Sequence, residues 1–249
     1  MSDLVKEKSI ILSEDEHAAA LAGVKTLLCE PVLGNGWNPN KYVASKLLLN
    51  GNRKIGLQAF FKDGENWIDV KCPFGQVGDI LWAKEQHRPV AWSFDDGDVV
   101  IEYKDGQKIS HEISFEEEIG SNLDHDYLIA ICDELIDRKV PMQKDNDELF
   151  DLDDPNNLPA WRSAESMPHF ASRLAFEIVS IKMEKLNVLG MTDDEIKRHG
   201  ADHFTNSGRV LDQRISHYQT LFMGHWDIKH PYFEWGTNPW VWVVELKKI

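Results

Sequence analysis

Lys25 is one residue whose type and place could do chemistry in this sequence of 249 residues. It follows Gly23, which closes an alanine-rich helix, so Lys25 and Thr26 emerge just past a helix C-terminus. A lysine there can serve as a cleft cation or, once buried, as a general base with a lowered pKa. The bland alternative is a helix-end lysine favoured by the dipole alone. Ser172-Arg173 is the second feature, a polar pair at the mouth of a strand. Arg173 with Ser172 can meet a phosphate or a base edge, or Arg173 can pair internally with a carboxylate such as Glu85. Trp161 with the adjoining Arg162, in a loop, and Trp240, just after a turn, are candidates to stack on a base, an interaction worth ~1–3 kcal/mol. Trp82 and Trp242 lie in strand-like runs and read as core.

His199 and His203 stand four apart with Asp202 between, which suggests a metal pair until Gly200 is noticed. That glycine breaks the helix needed to put both imidazoles on one face, and no Cys or His pair supports them, so no metal is expected. The chain lacks a nucleophile elbow, a phosphate-cradling glycine loop and a dinucleotide fingerprint, so no cofactor is expected. Cys29, Cys72 and Cys132 are odd in number and far apart, which suits a reducing cytoplasm. The first eight residues are polar, and no apolar run approaches the ~20 residues of a membrane span. A cytoplasmic protein without a membrane partner is the expectation.

The formal charge of −15 argues at first against a nucleic-acid partner. Its location changes that inference. Between Asp95 and Asp154 stand 20 acidic and 5 basic residues, so the whole surplus lies in one segment and the rest of the chain is neutral. A neutral body can hold a locally basic cleft beside an acidic insertion at about 95–157.

The elements that must position these residues follow from pattern. Ile10 to Leu12 predicts a first strand, and Ser13 with Glu16 has capping-box spacing for a helix that Gly23 ends. A short element is expected around Tyr42 to Leu49, and strands over Lys54–Ala59, Trp67–Val70 and Ile80–Glu85. Asp98–Tyr103 followed by Lys104-Asp-Gly106 predicts a hairpin. Tyr127–Ile136 has the spacing of a helix, and Gln143–Asn157 reads as an exposed loop. Leu174, Phe176 and Ile178, then Ile181 and Met183, predict a long half-buried strand. Thr192 with Glu195 repeats the capping box, and Gly200 ends that helix. Arg209–Met223 is the clearest longer helix, and Trp240 opens a terminal strand. Strands and short helices that do not alternate regularly give an α+β fold in one domain, 1–249.

Four motifs then carry a resemblance: Gly23-Val-Lys-Thr26, Pro73-Phe-Gly-Gln-Val-Gly-Asp-Ile-Leu-Trp82, Met167-Pro-His-Phe-Ala-Ser-Arg173 and Asn238-Pro-Trp-Val-Trp-Val-Val-Glu245. Together they resemble a family of tailed-phage and prophage proteins labelled morphogenetic, which look like divergent ASCH domains of the PUA-like superfamily. The matched segments span about 9–32, 67–103 and 158–249. The resemblance implies a small, mostly antiparallel β-barrel with flanking short helices and a cleft for RNA or a nucleobase. For a phage-encoded protein it implies the bacterial host cytoplasm. Two departures matter. The family follows its Gly-x-Lys-Thr with a pair of arginines, where this chain has Cys29 and Glu30. Small ASCH hydrolases that deacetylate acetylated cytidine use the lysine, a threonine and a glutamate; Lys25 is retained, but Leu28 and His199 stand at the other two positions.

The leading expectation is therefore a binding module for RNA or a modified nucleobase or nucleotide, with Lys25, Thr26, Trp161, Arg162, Ser172, Arg173 and Trp240 at its site. A second is a nucleic-acid or nucleoside hydrolase, with Lys25 central and Glu85 or His199 as partner. A third is an inhibitor-like protein whose acidic segment 95–154 docks on a basic host or phage protein, against the plainer reading of a solvated insertion.

Overall fold

The computed structural model describes residues 5–33, 47–52, 56–63, 66–93, 97–113, 123–141, 150–152, 154, 156–205 and 214–249. The chain divides into two compact units, Met1–Trp82 with Leu174–Ile249, and Ala83–Arg173.

In the first unit, β1 (Glu7–Ile11) leads to α1 (Glu14–Leu21). The predicted capping box is formed: the Ser13 hydroxyl accepts from Glu16 N, and the Glu16 carboxylate accepts from Ser13 N. Past Gly23, at φ +74°, the chain enters β2 (Leu27–Pro31), a strand that the sequence pattern does not announce. Three strands, β3 (Leu47–Asn52), β4 (Gly56–Asp63) and β5 (Asn66–Lys71), make a separate antiparallel sheet. The element predicted around Tyr42 to Leu49 falls outside the described residues up to position 46, and the rest joins β3.

The unit's main sheet adds β6 (Ile80–Lys84), β11 (Ala175–Lys185) and β12 (Trp240–Lys248) in the order β1-β6-β11-β12-β2. β11 pairs antiparallel with both β6 and β12, and β12 pairs antiparallel with β2. Among the described residues nothing joins β1 to β2, so this sheet is open where a closed barrel was expected. The hydrophobic pattern of β11 changes parity after Ile178, and the register shift between Ile178 and Ser180 is the reason. A bulge at Val179 turns the strand so that Phe176, Ile178 and Met183 are all buried.

One face of the sheet is covered by α3 (Asp193–Arg198) and α4 (His217–Lys229). Ile196, Phe222 and Trp226 pack there with Val241 and Val243. The longer helix begins later than the predicted Arg209, because Ser216 is its N-cap and Gln219 completes a capping box. Residues 206–213 lie outside the described set.

The second unit holds an antiparallel sheet of β7 (His87–Trp92), β8 (Asp98–Tyr103), β9 (Lys108–Glu112) and β10 (Phe150–Asp151), in the order β10-β7-β8-β9. The predicted hairpin is β8–β9, turning at Gly106 with φ +84°. The helix α2 (Leu123–Asp137) buries Leu128, Ile131 and Leu135 beside Trp92, Ile101 and Tyr103, and leaves Asp126, Asp133 and Asp137 outside. The acidic segment thus contributes to a core that it shares with Trp92, Met167 and Ala171. Phe150–Asp151 pairs with Trp92–Ala91, so part of the expected loop over 143–157 is strand. The architecture is α+β.

Gly200, at φ +98°, ends α3 with its α-carbon against α1: a β-carbon there would lie 2.8 Å from Ala19 Cβ. Gly200→Ala is expected to lower stability by about 1–3 kcal/mol through backbone strain, with the clash added. Urea unfolding of the variant measures this, and an unchanged midpoint would contradict it.

Candidate functional site

As the chain leaves α1, Thr26 and Lys25 both border one groove, but the Lys25 ammonium turns away from it into the interior. On the outer side lies an open groove of ≈ 440 Å³ between the end of α1, the C-terminus of α3, and β11–β12. Thr26 and Arg198 form its floor as a reciprocal pair. Thr26 N donates to Arg198 O at 2.8 Å, and Arg198 Nε donates to Thr26 Oγ1 at 3.0 Å. Arg198 Nη2 also donates to Glu245, whose other carboxylate oxygen accepts from Ser180 Oγ at 3.0 Å. These hydrogen bonds hold the Glu245 carboxyl below its usual range. The pair is half open to solvent, with side chains 43% and 40% exposed. Lys247, Lys248 and the bulged Val179 complete the wall.

On the inner side, Lys25 is buried, and its ammonium has three partners: Leu27 O at 3.0 Å, His199 O at 3.1 Å and Glu16 Oε1 at 3.1 Å. Those partners match its three N–H donors. Lys229 donates to the same Glu16 carboxylate at 2.8 Å and meets Glu30 at 2.7 Å. Burial would push Glu16 up, but Lys25, Lys229 and the Ser13 amide outweigh it and hold the carboxyl far below the ordinary range. For Glu30 burial wins against Lys229, and its pKa is raised.

Three imidazoles border this ion cluster. Burial, with the Lys25 charge, lowers His199 to about 3. Burial, with Lys229, lowers His230 to about 4, and burial lowers His225. His225 stacks on Phe204 with centroids 3.8 Å apart, and His199 leans on Phe222. His199 Nδ1, His225 Nε2 and His230 Nε2 have no hydrogen-bond partner among the described residues. The chamber they line has free space of ≈ 10 Å³, enough for one water-sized guest and too little for a nucleobase. No three His, Cys, Asp or Glu side chains among the described residues are arranged to hold a metal.

The remaining expected site residues do not assemble around Lys25. Arg173 grips Glu85 with two 2.7 Å bonds, meets Gln107 at 2.7 Å and Asp105 at 2.8 Å, and lies over the Tyr103 ring. Its side chain is 6% exposed, so the internal pair with Glu85 prevails over the cleft role. The reason is desolvation: a guanidinium at this depth needs a carboxylate beside it. Both Glu85 carboxylate oxygens accept from Arg173. Ser172 Oγ donates to Ala83 O at 2.9 Å. Arg162 pairs with Glu134. Trp161 already has the Arg88 and Lys104 cations over its ring, and Trp240 has Lys185. His199 contributes its backbone carbonyl to Lys25, and its own ring is buried. Arg198, Glu245, Lys247 and Lys248 were not singled out in the sequence. The signal was thin: Arg198 reads as a routine last-turn cation of a short helix. Glu16 reads as a cap, and nothing local marks it as a buried counter-ion.

Comparison with protein-family models, curated proteins and solved structures finds no match to this chain. Among the described residues no helix is long and apolar enough to cross a membrane.

The ion cluster sets the acid response. His199, His225 and His230 have folded pKa values below the unfolded 6.5, so the unfolded chain binds more protons as pH falls from 6.5 towards 3–4, and stability drops across that window. Glu16, also lowered, adds to the loss below its unfolded 4.5, while Glu30, raised, opposes it. Urea midpoints should fall steadily from pH 6.5 to 4. Glu16→Gln, which strips two buried ammoniums of their shared charge, should cost about 3–5 kcal/mol at pH 7. A flat pH profile or a neutral Glu16→Gln would refute the assignment.

Proposed function

We propose that the first unit is a divergent ASCH/PUA-like module that binds RNA or a modified nucleobase or nucleotide in the groove over Thr26 and Arg198. The observation that carries this reading is the half-exposed Arg198–Glu245 pair set between the Thr26 and Ser180 hydroxyls. Guanidinium and carboxylate side by side offer donors next to acceptors, the pattern found on the edge of a base. Lys247 and Lys248 add cations for a phosphate, and Lys247 is 67% exposed. The groove's volume suits a nucleoside-sized ligand. Gly23, Lys25 and Thr26, from one of the motifs that carry the family resemblance, form part of its lining. Net charge does not oppose the reading, because the acidic surplus lies in the segment from Asp95 to Asp154.

A hydrolase built on Lys25 has less support. The ammonium's three donors are matched by Leu27, His199 and Glu16, and a general base must first lose a proton.

Titration with short single-stranded RNA, matching DNA and free nucleosides with modified bases, at two salt concentrations, tests the proposal. Arg198→Ala should weaken binding by about tenfold or more, as loss of a base-edge contact does. Lys247→Ala and Lys248→Ala should each reduce the salt slope by about 1. Absence of binding at low salt, or affinity indifferent to Arg198, would remove the reading.

A further inference from the structure

The ammonium of Lys25 bonds to one carbonyl from each of two segments. Leu27 O lies just after Thr26, and His199 O lies just after Arg198. On the opposite side of the chain, Thr26 and Arg198 exchange two hydrogen bonds with each other. Thr26 O in turn accepts from Leu246 N at 2.8 Å, one residue past Glu245. The buried lysine therefore ties the entry of β2 to the C-terminus of α3 immediately beneath the groove. Glu16 supplies the counter-charge that lets it sit there at 4% exposure.

We propose that Lys25 is a positioning residue of the groove it helps to line: with its ammonium held by Leu27 O, His199 O and Glu16, it fixes the Arg198 guanidinium relative to Thr26 and Glu245. This rests on the groove being the ligand site. The chemistry of a helix end favours the arrangement. His199 is the C-cap of α3, and its carbonyl is among the helix-end acceptors that an ammonium satisfies. Lys229 is the natural contrast. It shares the Glu16 carboxylate, but its bonds go to Glu16 and Glu30, and unlike Lys25 it does not line the groove. Losing either ammonium disturbs the buried charge balance; only losing Lys25 releases the two carbonyls.

The test compares Lys25→Met with Lys229→Met by NMR exchange of the Arg198 Nε–H, a readout that needs no ligand. Lys25→Met should speed that exchange by about tenfold or more, while Lys229→Met leaves it near wild type. Equal effects, or none from Lys25→Met, would overturn the proposal. Where Lys25→Met does not fold, the wild-type Lys25 Nζ resonance decides. Slowly exchanging ammonium protons coupled to the Leu27 and His199 carbonyls support the positioning role, and a freely exchanging ammonium overturns it. In a folded Lys25→Met protein, binding to a short single-stranded RNA should weaken about tenfold with the salt slope unchanged. A slope reduced by about 1 would mean direct phosphate contact and overturn the role. Wild-type protein that binds no RNA would sink the groove reading alone, with the exchange experiment still judging what Lys25 does.

Discussion

A single carboxylate, that of Glu16, lies between two ammoniums inside the first unit, and much of that unit's local order depends on it. It caps α1 through Ser13, neutralises Lys25 at the entry of β2 and receives Lys229 from the end of α4. Three elements distant in sequence meet at one charge. Such a cluster contributes little net stability over an apolar core, but it is expensive to break and admits few alternative arrangements.

The second unit solves a similar problem independently. Arg173 is clamped by Glu85 and Asp105 over the face of Tyr103, and Tyr103 Oη donates to Ala171 O. In both units the most conspicuous cations are the ones most fully engaged. Burial raises the energy of an unpaired charge steeply, so a deep lysine or arginine acquires a carboxylate partner before it acquires a ligand. The less conspicuous Arg198 and Lys247 also meet carboxylates, Glu245 and Glu177, but stand 43% and 67% exposed to solvent. Exposure rather than residue type separates the candidate binding groups from the structural ones.

The acidic segment follows the same logic in reverse. Its charges were expected to keep it solvated, yet α2 carries Asp126, Asp133 and Asp137 outward and sends Leu128, Ile131 and Leu135 into a core with Trp92 and Tyr103. Charge density along a sequence is compatible with folding when the apolar residues recur at helical spacing. Here they recur three and four apart.

The sequence by itself determined the local signals: the capping boxes at Ser13 and Thr192, the stop at Gly200, the Asp-Gly hairpin, and the alternation that opens β11. Each depends on residues within a few positions of one another, where sterics and backbone hydrogen bonding act without outside help. The tertiary structure decided the rest, beginning with the open sheet order that puts β12 between β11 and β2. It decided that Lys25 points inward and Thr26 outward, and that Arg173 belongs to Glu85. It brought Glu245 to Arg198 across 47 positions, and Lys229 to Glu16 across 213. Those choices turn on which charges share a low-dielectric interior, and no local pattern encodes which distant partner will be there.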